Sequence, residues 1–372
     1  MSLLIDVSPL MLRSAGVKAY VWHWAKALVD LAGAETVRTF PQVDFLGKLD
    51  HERSMAGALD TYAGLATLYA TNYLHLPVLN LQLRGVKLFH ATNQVRRPPR
   101  VPLLTSTLHD LTCWSMPEMH TEGNIRADRE FAERVWKRAD ALIAVSENTR
   151  RDAIDYLGLP PERVVAIHSG VGEAYFEVTE DQARAAAAKH SLDKPFVLVV
   201  GTIEPRKNTT RLLDVWDSLP GRYRADFDLV FAGPAGWASP DTLARLKRNT
   251  NSVRWLGYVD ECDLPGLTRA ATVAAYPSLY EGFGFPVAQA MAAGTAVLTS
   301  DVSSLSEVGA DGCEYADPHS IPSIASGLTR LLDADSLRHQ LGAAGAATAR
   351  GRYRWSVCAE RSIELFRLLG AM

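Results

Sequence analysis

The chain has 372 residues, of which 47% are hydrophobic and 22% charged, so it is large enough for two domains with buried cores. Its formal net charge of −3 argues against a protein that binds nucleic acid through a basic surface. The four cysteines form no CxxC pair, which favours free thiols in a reducing compartment over a disulfide framework.

The N-terminal segment and the apolar runs bear on where the protein resides. The first apolar run is short, is interrupted by Asp6 and Pro9 and follows no basic segment, which argues against a secretory signal. No run approaches the roughly 18 apolar residues of a membrane-spanning helix. We therefore expect a cytoplasmic protein.

In the first half of the chain, strands are predicted to alternate with helices. Short apolar segments with polar, glycine or proline boundaries predict strands at Leu3–Val7, Lys87–His90, Leu103–Leu108, Ala141–Val145 and Val164–Ile167. A turn at Arg13–Lys18 is expected to precede a helix from Tyr20 to Leu31. Another helix should begin after Ser146, whose hydroxyl can cap it, and continue through Tyr156.

The second half repeats this alternation after a polar, alanine-rich helix predicted at Thr179–His190. Its predicted strands are Phe196–Val200, Asp228–Ala232, Val253–Leu256, Val273–Tyr276, Ala296–Thr299, Ser306–Val308 and Gly312–Tyr315. Such alternation predicts parallel sheets with helices on both faces. We place the domain boundary near Gly172–Val178. Ligands of doubly wound sheets bind at the carboxyl ends of the strands, so the turns that follow the strands are candidate sites.

The turn Gly201–Asn208 is the first candidate. It follows an apolar strand, contains Arg206 and Lys207, and precedes a helix predicted from Thr210. Two cations beside the N–H groups of a helix start make an anion site. The alternative is a solvated pair of basic side chains in a polar loop.

The turn around Glu281 is the second candidate. Gly282 and Gly284 would let the backbone approach a ligand closely, and a helix is predicted from about Val287. A carboxylate there can accept hydrogen bonds from sugar hydroxyls. The alternative is an ordinary carboxylate that caps the helix.

Two weaker candidates lie in the first half. His109 follows a strand and could donate a hydrogen bond to a sugar hydroxyl or a phosphate oxygen, although a structural histidine is the alternative. Asp110 is expected to hold its own loop through backbone N–H groups. Gly16 would let the turn before the first helix close over a diphosphate, and a plain turn is the alternative.

Several motifs are absent from the sequence. It contains no GxxxxGK[ST] loop, no GxSxG nucleophile elbow and no GxGxxG that opens a helix after a strand. Hydride transfer and P-loop phosphoryl transfer are therefore poor interpretations. No histidine lies in an HExxH or another metal-ligand spacing, so we expect neither a metal nor another cofactor.

The order and spacing of these segments resemble the retaining glycosyltransferases of family 4. The similarity extends over nearly the whole chain, through the Gly16 loop and residues 109–120, 139–152, 201–208, 229–237, 256–264 and 278–294. It implies an α/β GT-B fold, in which two Rossmann-like, doubly wound parallel-sheet domains face each other across a cleft. Residues 1–174 would bind the acceptor, residues 175–354 the nucleotide sugar, and residues 355–372 would cross back onto the N-terminal domain.

The resemblance also implies roles for single residues. Arg206 and Lys207 correspond to the pair that binds the diphosphate, and His109 to a histidine that touches the transferred sugar. Glu281 corresponds to the first carboxylate of the family's E-x7-E motif, which contacts the donor sugar. The remaining donor-binding positions are Gly16, Val17, Thr202, Tyr258, Val259, Gly282, Phe283, Gly284 and Gln289, with the turn at Tyr258 and Val259 near the nucleobase.

Two positions depart from the family pattern. Gln289 stands eight residues after Glu281, where the second carboxylate of the motif usually binds ribose hydroxyls. Glutamine loses the charge-assisted part of that hydrogen bond, roughly 1 kcal/mol. Thr202 stands where some members have an arginine, so the phosphate charge would depend more on Arg206 and Lys207.

The resemblance implies transfer of a hexose, with retention, from a nucleotide diphosphate sugar to a hydroxyl of a glycan or lipid-linked glycan. The HDLT segment with GTIEPRKN is similar to bacterial mannosyltransferases or related hexosyltransferases of surface polysaccharide assembly, which favours GDP-mannose as the donor. One alternative is a sugar-nucleotide epimerase or hydrolase of the same fold. Another, suggested by Gln289, is a non-catalytic protein that binds nucleotide sugars.

The segment Tyr62–Leu83 is rich in leucine, tyrosine and alanine, and five basic residues follow it, at Arg84, Lys87, Arg96, Arg97 and Arg100. This composition is open to two interpretations. The segment could contact an anionic membrane at its inner face or a lipid-linked acceptor. Alternatively, it is a buried helix with solvated basic ends.

Overall fold

The computed structural model describes residues 2–13, 16–51, 53–237, 239–248 and 252–372. The chain divides into two compact units, one formed by the residues up to 170 together with 355–372, the other by residues 171–354. Each unit contains a six-stranded parallel sheet with helices between its strands. The predicted α/β fold with two parallel sheets is confirmed.

The described residues form twelve strands and sixteen α-helices. The strands are β1 Ser2–Asp6, β2 Val37–Phe40, β3 Val86–Ala91, β4 Leu103–Leu108, β5 Ala141–Ala144, β6 Val164–Ala166, β7 Phe196–Val200, β8 Asp228–Ala232, β9 Val253–Gly257, β10 Val273–Tyr276, β11 Val297–Ser300 and β12 Cys313–Ala316. The helices are α1 Gly16–Ala32, α2 Ala58–Asn72, α3 Thr112–Ser115, α4 Glu122–Arg134, α5 Glu147–Leu157, α6 Glu173–Phe176, α7 Glu180–Lys189, α8 Thr209–Ser218, α9 Gly221–Asp226, α10 Pro240–Lys247, α11 Leu264–Ala270, α12 Phe285–Ala292, α13 Ser304–Gly309, α14 Ile321–Asp333, α15 Asp335–Arg352 and α16 Trp355–Leu368.

The sheet of the first unit has the strand order β2-β1-β3-β4-β5-β6. Its central strands are apolar and buried, as expected for parallel strands covered on both faces. The last helix, α16, packs against α1 in this unit, and the indole N–H of Trp24 donates to the Ser362 hydroxyl at 3.0 Å. Residues 355–372 therefore pack in the same unit as residues up to 170.

The sheet of the second unit has the strand order β12-β11-β10-β7-β8-β9. Strand β7 lies between β10 and β8, and all three are parallel. Residues 201–208 leave the carboxyl end of β7, and residues 277–284 leave the carboxyl end of β10. Because β7 and β10 are neighbours, these two turns emerge side by side although about 70 residues separate them in the sequence.

Three sequence predictions of local structure were wrong. The segment Ser306–Val308 lies in helix α13 rather than in a strand, because Leu305 and Val308 have helical spacing and are both fully buried. Strand β2 was missed because polar residues interrupt its short sequence, VRTF. Helix α1 begins at Gly16 instead of Tyr20, so the predicted turn is partly helical.

A buried lysine explains the early start of α1. The Lys18 ammonium donates to the backbone carbonyl oxygens of Leu12, at 2.9 Å, and of Arg53, at 2.5 Å. These bonds hold the first turn of the helix against the preceding segment and against the backbone at Arg53. Residues 14 and 15 of the predicted turn lie outside the described residues.

Two turns of the second unit approach each other closely at Gly201 and Gly233. A Cβ atom at position 233 would lie 2.0 Å from the carbonyl oxygen of Gly201, a backbone atom that cannot move aside alone. We expect Gly233→Ala to lower the free energy of unfolding by at least about 2 kcal/mol. Urea unfolding would measure this, with Gly221→Ala as the control because no atom lies within 4 Å of that Cβ position. Equal midpoints for the two variants would contradict this expectation.

Candidate active site

The turn after β7 is fixed to the turn after β10 through Asn208. This residue has a φ angle of 61°, in the left-handed region that asparagine tolerates better than most residues. Its side-chain amide donates to the carbonyl oxygens of Pro277, at 2.9 Å, and Pro318, at 2.7 Å. The turn Pro205–Lys207 is thereby held beside the loop that carries Glu281.

Arg206, Lys207 and Glu281 form one ion-pair cluster. The Arg206 Nη1 atom lies 2.7 Å from Glu281 Oε2, and Lys207 Nζ lies 2.5 Å from Glu281 Oε1. The same Arg206 nitrogen also donates to the Tyr280 carbonyl oxygen at 2.8 Å. The structure therefore brings together three residues that the sequence placed on two separate turns.

The cluster determines the charge of Glu281. Burial alone would raise the pKa of this carboxyl group, but the Arg206 guanidinium and the Lys207 ammonium lower it to about 2. Glu281 is only 6% exposed, so little water screens these interactions. It is a carboxylate at every pH at which the protein is expected to work.

Glu204 also belongs to the cluster, and sequence reasoning gave it no role. Its Oε1 atom lies 2.7 Å from Arg206 Nη2, and the residue is buried. Arg206 is therefore held between two carboxylates. The only signal in the sequence was a carboxylate two residues before the arginine, in a turn already predicted to bind an anion. Within the cluster, two cations balance two carboxylates.

The glycine-rich segment after Glu281 is buried, and hydrogen bonds hold its backbone. Gly284 has a φ angle of 97°, and a Cβ atom there would lie 2.8 Å from the Leu305 side chain. The Ser304 hydroxyl donates to the carbonyl oxygens of Glu281, at 2.8 Å, and Phe283, at 3.0 Å. Helix α12 begins at Phe285, two residues before the predicted start. This frame fixes the backbone of Gly282, Phe283 and Gly284 next to the ion-pair cluster.

The other predicted donor-binding residues of this unit lie after strands β7 and β9 and in helix α12. Thr202 follows β7, and Tyr258 follows β9 with its side chain exposed. Val259 is buried, whereas Gln289 is half-buried in the middle of α12. Their contacts with a nucleotide stay predictions.

His109 lies in the first unit, at the carboxyl end of β4. Its ring stands edge-on to Tyr20, with 4.8 Å between the ring centroids. Desolvation lowers the pKa of His109 to about 4 against the opposing effect of Asp110, so the imidazole is neutral at pH 7. A neutral ring can donate one hydrogen bond and accept another, whereas it supplies no positive charge.

The residues that follow His109 hold the backbone of the loop after β4. The Asp110 carboxylate accepts hydrogen bonds from the Thr112 backbone N–H, at 3.0 Å, and hydroxyl, at 2.6 Å. This confirms the loop-holding role predicted for Asp110. Gly16 and Val17 form the first turn of α1.

Two α/β units that each contain a parallel sheet, with cations and a carboxylate at the carboxyl ends of adjacent strands, agree with the expectation of a glycosyltransferase of the GT-B fold. Two family models match the chain. Residues 15–174 match the model described as Glycosyltransferase Family 4, and residues 181–348 match the one described as Glycosyl transferases group 1. The chain belongs to glycosyltransferase family 4.

Individual relatives agree with this assignment. The chain is 31% identical over 344 residues to O-antigen chain mannosyltransferase B of Escherichia coli. The aligned region covers 91% of this chain and 89% of the relative. Its fold is similar to that of sucrose-phosphate synthase from Thermosynechococcus elongatus, with a TM-score of 0.75, 20% identity and full coverage of both chains. It is also similar to HepE of Anabaena, solved with UDP-glucose, with a TM-score of 0.71, 18% identity and 99% coverage of each chain.

Proposed function

We propose that this glycosyltransferase moves a hexose, with mannose as the favoured sugar, from a nucleotide diphosphate sugar to a hydroxyl group of a glycan or lipid-linked glycan. The configuration at the anomeric carbon is retained in the transfer. Mannose is favoured by the name of the O-antigen relative, and a nucleotide-sugar donor by the UDP-glucose complex of HepE. In this proposal the second unit binds the donor and the first unit the acceptor.

The ion-pair cluster carries the proposal. Transfer breaks the bond between the anomeric carbon and the phosphate oxygen, and the electron pair of that bond stays on the diphosphate. Arg206 and Lys207 are placed to stabilise this growing negative charge. The acceptor oxygen forms the new bond to the same carbon, and its proton leaves with the departing phosphate.

Glu281 would exchange partners when the donor binds. Its carboxylate is paired with both cations, and the diphosphate oxygens would compete for them. A carboxylate released in this way can accept hydrogen bonds from sugar hydroxyls, which is the role that we propose for Glu281. Glu204 would keep Arg206 in place during the exchange, because its ion pair lies on the other terminal nitrogen.

We also propose that transfer needs no divalent metal, since the two side-chain cations supply the charge that a metal would otherwise provide. Incubation with EDTA should leave turnover unchanged. A loss of turnover that Mg²⁺ or Mn²⁺ restores would overturn this part of the proposal.

The decisive experiment is a panel of UDP-, GDP- and dTDP-sugars, with and without oligosaccharide acceptors. We expect release of the nucleoside diphosphate from GDP-mannose to depend on acceptor, and NMR of the product to show the anomeric configuration of the donor. Consumption of the donor without an acceptor would favour a hydrolase or an epimerase. Binding without any product would favour a non-catalytic role.

Contact with an anionic membrane is a second part of the proposal, and it is based on helix α2 in the first unit. This helix buries Gly64, Leu68 and Thr71 on one face. The opposite face and the segment after it expose eight large apolar side chains, which we call the α2 surface: Leu59, Tyr62, Leu65, Tyr69, Tyr73, Leu74, Leu76 and Leu81. A helix whose solvent-facing side is apolar marks an interaction site. The interpretation of this segment as a buried helix was therefore wrong.

The charges near the α2 surface indicate an anionic partner. Between residues 58 and 100 the sequence has five basic residues and one carboxylate, Asp60. Arg84 and Arg100 are exposed, and the Arg100 backbone N–H donates to the Asn80 side chain at 3.3 Å, next to Leu81. Of the five basic residues, Arg96 is paired with Glu130 at 3.6 Å. The exposed cations Arg84 and Arg100, beside apolar side chains, suit the surface of an anionic bilayer. No helix among the described residues is long and apolar enough to cross a membrane, so this contact would be peripheral.

Sedimentation with vesicles tests the membrane contact. We expect the protein to bind vesicles of phosphatidylglycerol and phosphatidylcholine but not of phosphatidylcholine alone. The double variants Leu59→Ser/Leu81→Ser and Arg84→Gln/Arg100→Gln should each weaken binding at least about tenfold. The matched control is Arg184→Gln/Arg222→Gln, which removes two exposed cations from the second unit.

Two results would overturn the membrane contact. One is equal sedimentation of the wild type with both kinds of vesicle. The other is a wild-type dimer, seen by light scattering, that Leu59→Ser/Leu81→Ser converts to a monomer without any binding to vesicles. The second result would assign the α2 surface to a second copy of the chain.

A further inference from the structure

Three buried hydroxyl groups line one small cavity beside Lys207. They belong to Thr209, Tyr276 and Ser278, which are 3%, 3% and 1% exposed. None of these hydroxyls has a hydrogen-bond partner among the residues that the structure describes. A buried hydroxyl without a partner is unfavourable, and packing alone gives no reason for three of them around one cavity.

The backbone around these hydroxyls is held firmly. The carbonyl oxygen of Tyr276 accepts from the Thr299 hydroxyl at 3.1 Å, that of Pro277 from the Asn208 amide at 2.9 Å, and that of Ser278 from the Ser300 hydroxyl at 2.7 Å. All three carbonyl groups of the segment are therefore bonded, whereas the hydroxyls of Tyr276 and Ser278, two residues that line the cavity, have no partner among the described residues. A shift of the backbone toward another partner would break these bonds.

The groups around the cavity are suited to an oxygen ligand. Lys207 lines it, and its ammonium lies 5.6 Å from the centre of the Tyr276 ring. Thr209 is the first residue of α8, where backbone N–H groups have no partner within the helix. The cavity offers about 10 Å³ of free volume, which is the lower limit of the space that one water-sized oxygen needs. Donors surround a space for a single acceptor atom.

We propose that this cavity binds one oxygen atom, from a water molecule or from a phosphoryl group of the donor, through the hydroxyls of Thr209, Tyr276 and Ser278. The bound oxygen would also accept a hydrogen bond from Lys207 and so position its ammonium group. The site itself is independent of the proposed function, and only the phosphoryl source rests on it.

The isosteric variant Tyr276→Phe tests the site by removing one hydroxyl. If a water fills the cavity, the melting temperature without nucleotide should fall by a few degrees. Tyr223→Phe is the reference variant, because the Tyr223 hydroxyl has a hydrogen bond to Asp333 at 2.6 Å. The fall in melting temperature for Tyr276→Phe should be similar to the fall for Tyr223→Phe. If a phosphoryl oxygen fills it, the melting temperature should not fall, and the Kd of GDP or UDP should rise at least tenfold. Ser278→Ala should change the same quantity in the same direction.

The proposal is overturned if Tyr276→Phe and Ser278→Ala both leave the Kd unchanged and neither lowers the melting temperature. Hydroxyls without a ligand would produce that result, because their removal relieves a penalty. Failure of the wild type to bind GDP or UDP would count against the proposed donor instead. In that case the melting temperatures alone decide whether the cavity holds an oxygen.

Discussion

Replacement of Lys207 by alanine is expected to lower turnover by roughly two to three orders of magnitude, the usual effect of removing one electrostatic donor to a transition state. The ammonium lies in the cluster that we propose to stabilise the departing diphosphate. Glu281 would keep its pairing with Arg206 at 2.7 Å, so the variant should fold. Steady-state release of the nucleoside diphosphate, with donor and acceptor both saturating, measures the effect.

Lys194→Ala is the matched control for this experiment. Lys194 is exposed and precedes β7, so it lies at the opposite end of the strand from Lys207. Its removal should leave turnover within about twofold of the wild type, as expected for a surface residue far from any site. Near-normal turnover in Lys207→Ala would refute the proposed role of the ammonium.

Replacement of Glu281 by glutamine is expected to lower the free energy of unfolding at pH 7 by about 3 kcal/mol. The pKa of Glu281 is about 2, against an ordinary value of 4.5, and a difference of about 2.5 is worth about 3 kcal/mol. Because the pKa is lower in the folded protein, this stabilisation is complete above pH 4.5. It is lost as the pH falls from 4.5 toward 2.

Urea unfolding at a series of pH values measures this prediction. The wild type should lose stability between pH 4.5 and pH 2, and the glutamine variant should lose about 3 kcal/mol less over that range. Glu180→Gln is the control, since its ion pair with Arg269 is exposed and should matter little. Parallel curves for wild type and Glu281→Gln would show that the ion pairs do not stabilise the fold.

Apart from β2 and the wrongly predicted strand at Ser306–Val308, the positions of the strands and of the candidate turns could be predicted from the sequence, because they depend on local patterns. The strand Phe196–Val200 is a continuous apolar run, and the turn after it contains glycine, proline and two cations. Likewise, the Ser146 hydroxyl caps α5 as predicted, by accepting from the Thr149 N–H at 3.0 Å. Such features need only a few neighbouring residues.

The pairing within the site could not be predicted in the same way. Glu281 contacts Arg206 and Lys207 because β10 lies next to β7. The order of strands in a sheet cannot be predicted from a local sequence pattern. Glu204 was missed for the same reason, since its role depends on the position of Arg206 in space.

The segment that includes α2 shows a second limit of sequence reasoning. Its leucines and tyrosines fit a buried helix as well as an exposed one. The choice depends on which face packs on the sheet, and the structure shows that the small residue Gly64 lies on the packed face, with Leu68 and Thr71. Composition alone could not distinguish the two.

The balanced charge of the cluster has a consequence for selectivity among anions. A ligand that reaches Arg206 and Lys207 must compensate for the ion pairs that Glu281 gives up. Inorganic phosphate brings negative charge but no hydroxyl groups for the displaced carboxylate to accept from. A sugar nucleotide would bring both, so under the proposed function the balanced cluster would favour the donor over free phosphate.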